Sequence, residues 1–183
     1  MRLFTAIDLP PDIVDQLQQL IAKLRPLAPI SWSKIENLHI TTKFIGQWPE
    51  DRLPELTGAL AELPKRVRIP IRVQGLGFYP SKRSPNVFWA GVEAPPGLTA
   101  LANDTDTATA ALGIEPESRA YSPHLTLARI KKPTDLKSFH HQIELTGNPA
   151  FGSFQADRFY LYLSKPGPGG SVYTKLSEFP FTS

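Results

Sequence analysis

One offset constrains this chain more than any other feature, because 85 positions separate two copies of the same arrangement. Leu3-Phe4-Thr5-Ala6-Ile7-Asp8, followed by Pro10-Pro11, returns as Phe88-Trp89-Ala90-Gly91-Val92-Glu93, followed by Pro95-Pro96. At the same spacing His39 returns as His124, and Thr41 as Thr126. Three landmarks sharing one offset read as an internal duplication. The expected organisation is a single bilobal domain over 1–183, with halves of about 1–80 and 85–183.

Both halves decode in the same order. After the first Pro-Pro, Ile13, Leu17, Leu20, Ile21 and Leu24 make one apolar stripe, which predicts a helix over 12–24. After the second, Leu98, Leu101, Ala102, Thr105, Ala108 and Leu112 give a weaker stripe that ends at Gly113. The histidine strands follow, over 38–45 and 124–130, and then further helices near 49–63 and 134–145. A last strand closes each half, over 67–73 (continuing towards Phe78) and 154–163. Strand–helix–strand–helix–strand, written twice, predicts an α+β fold. Its two pseudo-symmetric lobes should carry mainly antiparallel sheets, outer helices and a central cleft. The loops at 79–85 and 165–170 are too short for flexible linkers, so the lobes should fold together.

In a strand, alternate side chains share a face. His39 therefore shares a face with Thr41, and His124 with Thr126, while Leu125 and Leu127 face the core. An imidazole exchanges protons near neutral pH, and a hydroxyl can donate to a phosphate oxygen without adding charge. Two such pairs at one cleft suit in-line displacement at phosphorus, with no metal and no cofactor required. His140 and His141 have Glu55 and Leu56 as their counterparts one offset earlier, so they read as surface or packing residues.

Composition narrows the setting. The absence of cysteine excludes disulfides, thiolate metal sites and a cysteine nucleophile. No apolar run is long enough for a membrane span, and the N-terminal residues read as a first strand rather than a signal peptide. A cytoplasmic monomer is the expectation. The net charge is +3, and Lys34, Lys43, Arg129, Lys131 and Lys132 crowd the histidine segments. Lys82 and Arg83 stand in the central loop. An anionic ligand is implied.

At these residues the chain resembles the 2H phosphoesterase superfamily. More narrowly it resembles the LigT-like RNA 2',3'-cyclic phosphodiesterases, also known as 2'-5' RNA ligases. The likeness runs through Arg2–Pro10, Glu36–Gly46, Gly77–Pro80, Phe88–Val92 and Pro123–Arg129 to Gly169-Gly170 and Tyr173. Thr42 departs from an aliphatic position and should alter packing only. The resemblance implies hydrolysis of a terminal 2',3'-cyclic phosphate to a 2'-phosphate, with reversible ATP-independent 2'-5' ligation. The partners would be RNA ends or nucleotides carrying that cyclic phosphate. It implies His124 as general base and His39 as general acid, an order that pseudo-symmetry leaves open.

Thr41 and Thr126 would bind the phosphate, with Arg129 as a clamp, although strand parity turns Arg129 away from the cleft unless a bulge intervenes. Parity favours Lys43 as a further phosphate ligand, against a solvated place at the rim. Tyr121 and Phe78 are candidate base-stacking platforms, ahead of Trp32 and Tyr79. Two alternatives stay open. One is a 2H enzyme acting on ADP-ribose cyclic phosphate, 2'-5' oligoadenylate or an oligonucleotide tail; the other is a non-catalytic RNA-binding module.

Overall fold

The computed structural model describes residues 1–94 and 96–182, so Pro95 of the second Pro-Pro pair lies outside the described residues. Nine strands and four α-helices alternate among the described residues. The strands are β1 (Arg2–Asp8), β2 (Ser31–Trp32), β3 (His39–Gln47), β4 (Ile69–Tyr79), β5 (Val87–Glu93), β6 (His124–Arg129), β7 (Ala150–Ala156), β8 (Arg158–Gly167) and β9 (Gly170–Pro180). The helices are α1 (Pro11–Leu24), α2 (Leu53–Ala61), α3 (Gly97–Ala110) and α4 (Lys137–Thr146).

The apolar stripe predicted for α1 is the buried one, and Pro11 opens that helix, where its missing N–H costs nothing. The weaker stripe of α3 is completed by two threonines. Thr105 and Thr109 are fully buried, and each hydroxyl donates to a carbonyl one turn earlier, at 2.8 Å, so no buried donor is left open. The other two helices lie within or near their predicted spans, and a 3-10 turn at Glu50–Arg52 leads into α2.

The α+β fold is as expected, with two antiparallel sheets. The first is ordered β3-β1-β8-β9 and the second β2-β6-β5-β4-β7. In each sheet the histidine strand pairs with the strand that opens its half: β3 with β1, and β6 with β5.

The closing strands depart from expectation. β4 does not join β1 and β3 but sits between β5 and β7 in the second sheet. The predicted 154–163 strand is two strands meeting at Asp157, and they belong to different sheets. β7 pairs with β4, whereas β8 crosses to pair with β1. The lobes thus exchange strands. Asp157 is a lone strand-averse residue with no Gly or Pro beside it, and the aromatic and aliphatic residues from Phe159 onward are β-prone, so the sequence reads as continuous there. Buried residues from both sheets form one core, running from Leu3 and Ile7 through Phe88 and Leu125 to Phe159.

Candidate active site

His39 and His124 each stand first in their strand and are fixed in the same way. His39 Nδ1 lies 2.9 Å from the carbonyl of Asn37, two residues back. His124 Nδ1 lies 3.1 Å from the carbonyl of Ser122, also two residues back. A carbonyl only accepts, so Nδ1 carries the proton in both rings and Nε2 is the nitrogen left for chemistry. An aromatic residue of the adjoining strand attends each ring. Phe4 lies 6.3 Å from His39 and Trp89 lies 6.5 Å from His124, centroid to centroid. These two also correspond under the 85-residue offset.

The strands converge on one cavity of about 990 Å³, lined by His39, Thr41, His124, Thr126 and Arg129 among others. A bulge in each strand decides what else faces it. Ala6 is opposite Thr41 but Thr5 is opposite Lys43, so Thr42 is the extra residue of β3. Trp89 is opposite Thr126 but Phe88 is opposite Ala128, so Leu127 is the extra residue of β6. An extra residue reverses the alternation beyond it.

The reversal settles two expectations in opposite senses. Arg129, which ideal parity turns away, is exposed at the cavity. Lys43, which ideal parity turns inward to the phosphate, is corrected: it is 3% exposed. Its ammonium donates to Asp106 at 2.8 Å, to Glu117 at 3.1 Å and to the carbonyl of Glu115 at 3.0 Å. All three donors are spent, so none is left for phosphate. Thr42 is buried, and its hydroxyl shares a 2.6 Å hydrogen bond with Thr5, a polar pair replacing an aliphatic contact.

The stacking candidates divide. Tyr121 lines the cavity, but it is chiefly a strut, its hydroxyl donating to the carbonyl of Thr41 at 2.7 Å. Burial pushes its phenol far above the ordinary range. Phe78 is corrected from the site to the packing of the second lobe, 5.2 Å from Phe88 and 5.9 Å from Phe139. Trp32 donates to the carbonyl of Ala28 at 3.0 Å and borders the cavity, while Tyr79 is exposed and accepts from Arg119 at 3.0 Å. His140 and His141 lie away from the cavity, on α4.

Sequence reasoning missed two features. Phe44 is 64% exposed and borders the cavity; adding the repeat offset to it gives Arg129, a signal that could have found it. The second feature is a charged group behind His39. Asp8 Oδ1 lies 3.8 Å from His39 Nε2 and accepts from the Tyr162 hydroxyl, and Asp8 Oδ2 is 2.6 Å from the ammonium of Lys175. Burial pulls the His39 pKa below its ordinary value; Asp8 and the Asn37 carbonyl oppose that fall, and Lys175 adds to it. His124 is exposed, and no carboxylate approaches within ion-pair distance of it among the described residues. Asp8 and Glu93 occupy equivalent places in the repeat, but only Asp8 attends a histidine.

Among the described residues no group of three or more His, Cys, Asp or Glu is placed to hold a metal ion. No helix is long and apolar enough to cross a membrane.

A family model described as LigT like phosphoesterase matches twice, over residues 7–89 and 91–173. Together with the two sheets and their paired motif strands, this defines the class as a phosphoesterase. A curated protein of Methanocaldococcus jannaschii, named RNA 2',3'-cyclic phosphodiesterase, is 31% identical over 98% of this chain and 100% of its own length. One of the same name from Thermotoga maritima is 32% identical over 99% of this chain and 96% of its own. The chain belongs to the LigT-like phosphoesterase family. Its fold is shared with a solved structure from Thermus thermophilus, with TM-score 0.83, 28% identity and coverage of 99% and 98%. The same holds for E. coli LigT complexed with 3'-AMP, with TM-score 0.80, 28% identity and coverage of 100% and 98%.

Proposed function

We propose that this chain hydrolyses the 2',3'-cyclic phosphate at an RNA end to a 2'-phosphate, without a metal. The observation that carries this reading is the meeting of both His-x-Thr pairs and Arg129 at one cavity. Each imidazole also has its Nδ1 engaged, so that Nε2 is free to exchange a proton. The names of the relatives supply the substrate class.

His124 Nε2 takes a proton from water as the water oxygen bonds to phosphorus. The P–O3' bond breaks, and O3' receives a proton from His39 Nε2. Thr41 and Thr126 donate to the non-bridging oxygens, and Arg129 offsets their growing charge. In this direction Asp8, beside Nε2, has the task of favouring the imidazolium that an acid must begin as, against the burial that holds the His39 pKa below its ordinary value. His39 ends neutral and His124 ends charged, and exchange with water restores both. With a 5'-hydroxyl in place of water the same path makes a 2'-5' linkage: His124 takes the hydroxyl proton as O5' bonds to phosphorus, the P–O3' bond breaks and His39 protonates O3'. Only in the reverse, when O3' attacks and O5' leaves, do the two histidines trade roles.

Both walls of the cleft come from one chain, which supports a monomer, and a chain without cysteine suits the cytoplasm. The paired family matches and the corresponding bulges support descent from a duplicated unit.

The test is an oligoribonucleotide ending in a 2',3'-cyclic phosphate, incubated with and without EDTA. A 2'-phosphate should form equally in both. No turnover, or turnover lost with EDTA, would sink the reading; a 3'-phosphate product would reverse the choice of leaving oxygen.

A further inference from the structure

The cleft does not end at Arg129. β6 finishes there opposite Val87, the first residue of β5, so the loop before β5 and the segment after β6 leave the sheet side by side. The Ile130 amide donates to the carbonyl of Asn86 at 2.8 Å and clips the two together. One carries Lys82 and Arg83, the other Lys131 and Lys132. Arg119, at the cleft, reaches the same loop through its 3.0 Å hydrogen bond to Tyr79.

Beyond this junction lies a second, open cavity of about 960 Å³, lined by Lys82, Arg83, Lys137, His140, His141 and Glu144 among others. Glu144 is taken by Lys82 at 2.7 Å. Arg83, Lys131, Lys132 and Lys137 have no carboxylate within ion-pair distance among the described residues. Cations left unpaired are what a polyanion requires. The two cavities share no lining residue, so a mononucleotide held between the histidines and Arg129 does not fill the second. A strand of several nucleotides does.

We propose that this second cavity is a backbone-binding site for the RNA strand on the 5' side of the terminal nucleotide. The track leads to it from the cleft over the β4–β5 loop and the β6–α4 segment. The proposal rests on the cleft being the hydrolytic site, and it adds where the RNA strand behind the terminal nucleotide is held. Recognition there is of phosphates, so it is indifferent to sequence and sensitive to salt.

The experiment compares Arg83→Glu/Lys137→Glu with the parent on two substrates, a mononucleoside 2',3'-cyclic phosphate and an oligoribonucleotide with the same terminus. The expected result is a KM for the oligonucleotide raised by about tenfold or more, with mononucleotide kinetics unchanged, which also certifies the fold. For Arg83→Ala/Lys137→Ala, the slope of log(kcat/KM) against log[salt] should fall by about 1.4, the loss of two phosphate contacts to a single strand. Equal losses on both substrates, or an unchanged salt slope, would overturn the proposal.

If neither substrate is turned over, the cleft reading fails alone. Anisotropy with a labelled oligoribonucleotide ending in 2'-phosphate then still reads the track. Parent and double variants binding alike, or the parent binding anionic lipid vesicles and not the oligonucleotide, would refute it.

Discussion

β3 and β6 begin alike and end differently. Both open with a histidine whose Nδ1 is held by the carbonyl two residues back, both present a threonine at +2, and both carry a bulge at the third residue after the histidine. Beyond the bulge, β6 delivers a guanidinium to the cavity and β3 delivers the ring of Phe44. On the opposite face, β6 buries Ala128 and β3 buries Lys43. The lesson is that a shared backbone device fixes where side chains go, while individual substitutions decide what each wall of the cleft does. Beyond its bulge one wall presents a charge to the cavity. The other presents an aromatic ring there and is locked from behind by an ion pair.

The comparison can be broken at its common part first. His39→Ala and His124→Ala should each reduce kcat by at least about 10²-fold. Steady-state turnover of a cyclic-phosphate substrate measures both, and activity surviving either change removes that histidine from the mechanism. The next largest effect belongs to β6 alone. Arg129→Ala should reduce kcat/KM by roughly 10- to 100-fold, the scale of a charge-assisted hydrogen bond, and Arg129→Lys should recover little because an ammonium lacks the planar fork. A fully active lysine variant would show that Arg129 supplies charge and no geometry.

On β3 the corresponding test concerns stability. Lys43→Met should lower the free energy of unfolding by about 1–3 kcal/mol in denaturant titration, because it leaves Asp106 and Glu117 without their cation. The Asp106 carboxyl, whose pKa is lowered despite the burial that raises it, because Lys43 and the Glu117 amide hold it down, should titrate higher in that variant.

The smallest effect sharpens the acid–base asymmetry. Asp8 raises the His39 pKa, whereas burial and Lys175 lower it. Asp8→Asn therefore moves that pKa further down and leaves Lys175 unopposed. If His39 is the acid, it must be protonated to act, so the alkaline limb of the kcat/KM profile moves to lower pH. If His39 is instead the base, the acidic limb moves and activity extends further into acid. The limb that shifts decides the direction of proton flow.

The motif was legible because it rests on the period-two geometry of a strand and on a repeat, both of which are written in residue order. The α+β class, the helices and the antiparallel sheets were legible for the same reason. The bulges were not. Thr42 and Leu127 are ordinary strand residues with no glycine beside them, so parity continued past them misplaced Lys43 and left Arg129 in dispute. The strand exchange was equally hidden, since local patterning specifies that β4 is a strand and says nothing about which edge it joins. Asp8 was visible as the carboxylate that ends β1. Its approach to His39 comes from strand pairing, which sets Asp8 opposite His39.

That exchange also limits how the molecule can be divided. A fragment cut in the β4–β5 loop keeps β1 and β3 without β8, and it carries β4 with neither of its neighbours. The other fragment keeps β5 and β6 with a vacant edge where β4 belongs, and sends out the β8–β9 pair with no β1 to join. Neither piece can close its own sheet, yet each holds what the other lacks. Complementation between the two separated pieces, rather than independent folding of either, is the behaviour this connectivity dictates.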